Sequence, residues 1–108
     1  MLPNEIYIIH LSWGSGGKVR PVLAFVVGEA TVDIYQITTQ YDKKSEEIKT
    51  QYFAINDWAK AGLDKPSYVD TGTLITIPIN AFREKKPVGR LTNIDKQRLY
   101  DFFATSDA

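Results

Sequence analysis

One arginine, Arg20, stands between a glycine-rich segment and an apolar run, in Ser15-Gly16-Gly17-Lys18-Val19-Arg20-Pro21-Val22-Leu23-Ala24. Gly16 and Gly17 allow another backbone to come close, and Pro21 biases Arg20 toward an extended conformation. A guanidinium fixed in this way suits an anion, and a phosphate above all. The alternative interpretation is a hairpin loop whose arginine caps a carbonyl group or pairs with a surface acid.

A second reactive side chain, Thr38, falls near the end of a predicted strand. The runs Pro21–Gly28 and Thr31–Thr39 predict an antiparallel hairpin across Gly28-Glu29-Ala30. This hairpin would place Arg20 and Thr38 about level near its open end. The two residues could then act on one ligand, although neither forms a recognised catalytic motif when taken singly.

The composition excludes several kinds of chemistry. The chain has no cysteine, which rules out disulfides, thiolate catalysis and cysteine-ligated zinc. Its single histidine, His10, cannot form a two-histidine metal site, and we expect a hydrogen-bonded core histidine because His10 lies inside an apolar strand. We therefore expect neither a metal nor another cofactor.

The net charge and the lengths of the apolar runs limit the classes of function that remain. Thirteen Lys and Arg residues balance thirteen Asp and Glu residues, so only a local patch such as the basic region 83–98 could attract a polyanion. No apolar run approaches the roughly 20 residues that span a bilayer, and Met1–Glu5 does not resemble the start of a signal peptide. We expect one domain over residues 1–108, in the cytoplasm.

The pattern of apolar residues predicts a mainly β fold with short helices, arranged as a small barrel. The predicted strands are Glu5–Trp13, Pro21–Gly28, Thr31–Thr39, Thr50–Asn56, Tyr68–Val69 and Gly72–Ile79. The first two of them, Glu5–Trp13 and Pro21–Gly28, carry apolar residues on both faces, which predicts burial on each side. A subunit interface could cover one of these sides.

Two short helical segments and one loop complete the prediction. Asn56–Gly62 predicts one or two helical turns, with Trp58 holding them to the core. Thr92 and Asp95 predict the start of a C-terminal amphipathic helix whose aromatic stripe faces the core or an interface. The polar stretch Tyr41–Lys49 predicts an exposed loop.

Two segments, Gly16-Gly17-Lys18-Val19-Arg20-Pro21-Val22-Leu23 and Ile37-Thr38-Thr39-Gln40, resemble the MazF/PemK toxins of bacterial toxin–antitoxin modules in order and spacing. Weaker similarity extends through residues 62–69, 76–77 and 88–92, so the resemblance covers nearly the whole chain. It implies an SH3-like β-barrel of the MazF/PemK/CcdB type with a C-terminal helix. It also implies a homodimer, an antitoxin partner of the MazE/PemI type, and cleavage of single-stranded RNA at a short sequence.

By this resemblance, Arg20 and Thr38 are the catalytic pair. The residues expected to contact the substrate on the same rim are Gly17, Lys18, Thr39, Gln40 and Ser67. The resemblance implies attack by the 2′-hydroxyl without a metal, which leaves a 2′,3′-cyclic phosphate and a 5′-hydroxyl.

The sequence departs from the family pattern at two positions, where Gly72 and Ile75 replace an acidic residue and an arginine. Asp70 could take the place of the missing carboxylate only if its strand bends. This departure leaves the general base open. It also leaves room for a toxin of the same fold that poisons DNA gyrase without cleaving, or for a small barrel that binds nucleic acid or a peptide.

Overall fold

The computed structural model describes residues 1–106, apart from the side chains of Trp13 and Ser106. The strands are β1 (Glu5–Trp13), β2 (Gly16–Val27), β3 (Thr31–Thr38), β4 (Tyr52–Ile55), β5 (Ser67–Pro78) and β6 (Gly89–Arg90). The helices are α1 (Glu46–Lys49) and α2 (Asn93–Ser106), and a 3-10 turn spans Ile79–Phe82.

The six strands form one antiparallel sheet in the order β4-β5-β3-β2-β1-β6, which curls into a half-barrel. Each face of the sheet carries an apolar core, because successive side chains of a strand point to opposite faces. The first core contains Ile6, Leu23 and Ile37 and is covered by α2. The second core contains Tyr7 and Val22. The mainly β fold with short helices predicted from the sequence is thus confirmed.

The prediction that β1 is buried on both faces holds only near its start. Ile6 and Tyr7 are buried, whereas Ile8 is 45% exposed and His10 is exposed as well. Ile8 and His10 share the face of Ile6, but only Ile6 belongs to the core on that face. The expectation of a core histidine is therefore wrong. The prediction of burial on both faces also fails in part for β2, where Val26 is 50% exposed beside a register shift.

The two runs predicted around Asp70 are one bent strand. Ile34 pairs with Ile75 and Gln36 pairs with Asp70, so residues 71–74 of β5 lie opposite the single residue Tyr35. Extra residues on one strand of a pair bend that strand and increase its twist. The bend explains why the sequence here resembled a break between two strands.

The short helices differ from expectation in detail. Residues 56–62 form hydrogen-bonded turns rather than a helix, and the half-buried Trp58 packs against the first core as predicted. The expected loop 41–49 contains the helix α1, whose start is capped by the Ser45 hydroxyl, which accepts from the Ile48 N–H. Within residues 1–106, no helix is long and apolar enough to cross a membrane.

A buried carboxylate joins α2 to these turns. The Thr92 hydroxyl accepts from the Asp95 N–H at 3.2 Å, which is the predicted cap. The fully buried Asp95 carboxylate accepts from the N–H groups of Asn56 and Asp57, at 3.2 and 2.7 Å, and from Arg98. One side chain therefore fixes the position of α2 against the turns that follow β4.

Two glycines permit a close backbone contact between segments distant in the chain. Gly62 has a φ of 93°, and a Cβ on Gly62 or Gly89 would overlap the backbone of the other segment. Only glycine fits both demands at position 62. The contact brings together residues 62–69 and 88–92, two of the three regions of weaker family resemblance.

Candidate active site

A cleft of about 390 Å³ lies at the open end of the β2–β3 hairpin, and both Arg20 and Thr38 line it. The remaining lining residues are Lys18, Val19, Pro21, Ile37, Thr39, Gln40 and Ser67. The cleft therefore brings together six of the seven residues singled out in the sequence. Gly17 is the seventh and lies outside this lining.

The pairing of β2 with β3 explains how Arg20 and Thr38 meet. Val22 lies directly opposite Gln36. Two residues further along each strand, alternation returns Arg20 and Thr38 to that same face of the sheet, at facing positions. The sequence achieves this through the lengths of the two strands and the short turn that joins them.

The Arg20 guanidinium carries a donor with no acceptor. The residue is half-buried, and its Nε is fully buried without a hydrogen-bond partner in the described part of the chain. Burying such a donor unpaired costs about 1–3 kcal/mol. The remaining nitrogens of the guanidinium can bind a phosphate in the cleft and offset its charge.

The Thr38 hydroxyl is held in a fixed orientation. Its Oγ1 accepts a hydrogen bond from the Gln40 N–H at 3.0 Å, in the turn that follows β3. A hydroxyl can accept and donate at once, so its hydrogen stays able to donate to a ligand in the cleft. The half-buried side chain is thus prepared for one directed hydrogen bond.

Tyrosines beside this pair were not found from the sequence. Tyr68 pairs directly with Thr38 across β5 and β3, and the Tyr41 ring stacks on the Tyr68 ring at 4.4 Å with an angle of 11°. Burial raises the pKa of Tyr52, nearby Asp70 raises it further, and Arg20 lowers it. Arg20 therefore lies near a tyrosine cluster of Tyr41, Tyr52 and Tyr68, in which the ring centroids of Tyr41 and Tyr52 are 6.3 Å apart. Only the long-range pairing of β3 with β5 could have revealed it.

Asp70 could replace the missing carboxylate only if its strand bends, and β5 does bend next to Asp70. Asp70 lies opposite Gln36 and so on the face that carries Arg20 and Thr38. Its carboxylate accepts a hydrogen bond from the Gly72 N–H at 3.0 Å. A carboxylate is thus present on this face although position 72 itself is glycine.

Three other residues occupy positions with local roles. Gly17 lies against the ring of His10, where an added Cβ would approach the imidazole to 2.7 Å. The exposed His10 has its Nδ1 3.1 Å from the Ser12 hydroxyl. Ser67 is buried, and its hydroxyl donates to the Lys65 carbonyl at 2.7 Å.

Comparison with known proteins bears on the fold. No protein-family profile and no curated protein sequence matches the chain. Its structure is similar to that of the Mycobacterium tuberculosis toxin MazF-mt6, with a TM-score of 0.67 and 23% sequence identity over 94% of this chain and 93% of that chain. The chain therefore has a MazF-like fold.

Proposed function

We propose that this protein is the toxin of a toxin–antitoxin module, a sequence-specific endoribonuclease that cuts single-stranded RNA without a metal. The observation that carries the proposal is the cleft that Arg20 and Thr38 share, with the half-buried Arg20 guanidinium and the oriented Thr38 hydroxyl both on its wall. The resemblance of both segments to the MazF/PemK toxins and the MazF-like fold support the same activity.

In the proposed reaction, the 2′-hydroxyl oxygen of the RNA attacks the adjacent phosphorus and the bond to the 5′ oxygen breaks. The products are a 2′,3′-cyclic phosphate and a 5′-hydroxyl. Arg20 neutralises the charge that grows on the phosphate oxygens, and Thr38 donates one hydrogen bond to them. Both contacts strengthen as the transition state forms, which is the requirement for catalysis.

Asp70 is our candidate for the general base. It would accept the proton that leaves the 2′-hydroxyl, and the departing 5′ oxygen would take up a proton from solvent. Its position on the face of Arg20 and Thr38 supports this role. Lys18, Thr39 and Gln40, on the rim of the cleft, would contact neighbouring nucleotides.

We further propose a single-domain toxin, residues 1–108, that acts in the cytoplasm as a homodimer. The exposed side chains of Ile8 on β1 and Val19 on β2 support the dimer, because they share one face of the sheet and Val19 is 66% exposed. Exposed apolar residues that cluster in this way are typical of interaction surfaces. The antitoxin would lay an acidic or apolar segment across the rim that carries Lys18.

The test is to incubate purified protein with a mixed RNA in the presence of EDTA and to map the ends of the fragments. We expect cuts at one short sequence with cyclic phosphate ends, and none from the Arg20→Ala variant. Intact RNA of every sequence, from a folded dimer, would instead favour a toxin or binding module that cleaves nothing.

A further inference from the structure

A second cleft, of about 510 Å³, lies between the start of β1 and the segment that follows the 3-10 turn. Three cations, Arg83, Lys85 and Lys86, line it together with Glu5 and Tyr7. The Glu5 carboxylate already accepts hydrogen bonds from the Leu2 N–H and from the Tyr7 hydroxyl. The cleft therefore carries a surplus of positive charge, which the single acid on its wall only partly offsets.

A strained turn carries two of these cations, Arg83 and Lys85. The Lys85 N–H donates to the Phe82 carbonyl at 3.0 Å, and Glu84 has a φ of 63°. This is the geometry of a type II turn, whose third position normally takes glycine or asparagine. A glutamate there costs energy, and strain of this kind is concentrated at functional sites.

The turn is anchored to the sheet beside the candidate active site. Phe82 packs edge-to-face on Tyr7, with ring centroids 5.1 Å apart. Tyr7 pairs with Val22, which lies two residues from Arg20 on the same face of the sheet. Strand spacing and rise then put the Tyr7 backbone about 8 Å from that of Arg20. An RNA strand that leaves the Arg20–Thr38 cleft over β1 would therefore run toward the second cleft, which Tyr7 lines.

We propose that this cationic cleft binds the phosphate backbone of the single-stranded RNA beyond the cleavage point. The inference rests on the proposed function, which supplies the polyanion. Lysine and arginine contacts to phosphates raise affinity and fix the register of a nucleic acid without reading its bases. The cleft thus adds affinity for long RNA, whereas the cut sequence is chosen at the Arg20–Thr38 cleft.

The salt dependence of binding tests this proposal. The probe is a long single-stranded 2′-O-methyl oligonucleotide, which lacks the attacking hydroxyl, and the variant is Lys85→Gln/Lys86→Gln. Each lost phosphate contact lowers the slope of log K against log salt by about 0.7, so we expect a loss of about 1.4. Between 50 and 200 mM salt, the wild-type affinity should then fall about sevenfold more than that of the variant.

A matched control is Lys60→Gln/Lys96→Gln, which removes one cation from the turns 56–62 and one from helix α2. We expect it to keep the wild-type slope, and we expect a short oligonucleotide that fills only the Arg20–Thr38 cleft to bind both double variants equally well. A wild-type slope for Lys85→Gln/Lys86→Gln would overturn the proposal. A competition experiment in which an acidic peptide binds this cleft and the oligonucleotide does not compete with it would overturn the proposal as well. RNA cleavage by the wild type would still support the nuclease in that case. A reduced slope without any cleavage would support this cleft and count against the nuclease.

Discussion

Thr38 of β3 and Tyr68 of β5 are directly paired across the sheet. Their side chains therefore share a face, and the ring of Tyr41, three residues beyond Thr38, lies parallel to the Tyr68 ring. Arg20 reaches the same face from β2. The candidate active site is thus assembled from three adjacent strands and the turn after β3, which gives its reactive groups a rigid base.

The hydroxyl of Thr38 should be needed for the chemical step. Thr38→Val keeps the shape of the side chain but removes the donor, and we expect the single-turnover cleavage rate to fall about 10²–10³-fold. Thr38→Ser restores the hydroxyl and should stay within about tenfold of the wild type. An unchanged rate for the valine variant would show that Thr38 has another role.

The carboxylate of Asp70 should contribute to kcat rather than to RNA binding. We expect Asp70→Asn to lower kcat about 10²–10⁴-fold with little change in KM, because a general base acts only in the transition state. Asp42→Asn, in the exposed loop after β3, is the matched control and should leave both constants unchanged. A rise in KM alone would assign Asp70 to substrate binding.

The buried carboxylate of Asp95 should matter for stability. Asp95→Ala removes the acceptor of two backbone N–H groups and the partner of Arg98, and we expect a loss of about 3 kcal/mol in the free energy of unfolding. Asp101→Ala changes an exposed aspartate on the same helix and should cost less than about 0.5 kcal/mol. Urea titrations of both variants measure the difference, and equal losses would contradict this account.

Tyr7 should make the fold sensitive to alkali. Burial and the hydrogen bond to Glu5 raise its pKa from 10.0 to about 12. The folded state therefore favours the neutral phenol, so this contribution is complete below pH 10 and is lost as the pH rises to about 12. The loss amounts to about 2–3 kcal/mol at 1.36 kcal/mol per pH unit. Urea midpoints at several alkaline pH values should fall less steeply for Tyr7→Phe than for the wild type; parallel curves would refute the assignment.

Local patterns predicted most of the strands, because alternation and turn residues are local signals, but β2 begins at Gly16 rather than at Pro21 and the short strand β6 was missed. The predicted β1, Glu5–Trp13, matches the observed strand, and the short β2–β3 turn correctly placed Arg20 level with Thr38. The exposure of His10 was missed because it depends on how far the core on that face extends along β1. Strand patterns alone do not contain that information.

The placement of Tyr68 and Asp70 in the site could not be predicted for a related reason. Tyr68 and Asp70 reach the face of Thr38 only through the pairing of β3 with β5, which are separated by some 30 residues of chain. The bend that aligns Asp70 depends on the four residues 71–74 lying opposite Tyr35. Such a register is fixed by the packing of the whole sheet rather than by neighbouring residues.

The most direct test of the central claim is the single-turnover cleavage of RNA by Arg20→Ala and Arg20→Lys beside the wild type, in EDTA. Arg20→Ala should cleave at least about 10³-fold more slowly, since it loses both the charge and the planar donors. Arg20→Lys keeps the charge alone and should recover only part of the rate. An Arg20→Ala variant that folds and cuts the same sequence within about tenfold of the wild-type rate would contradict the account.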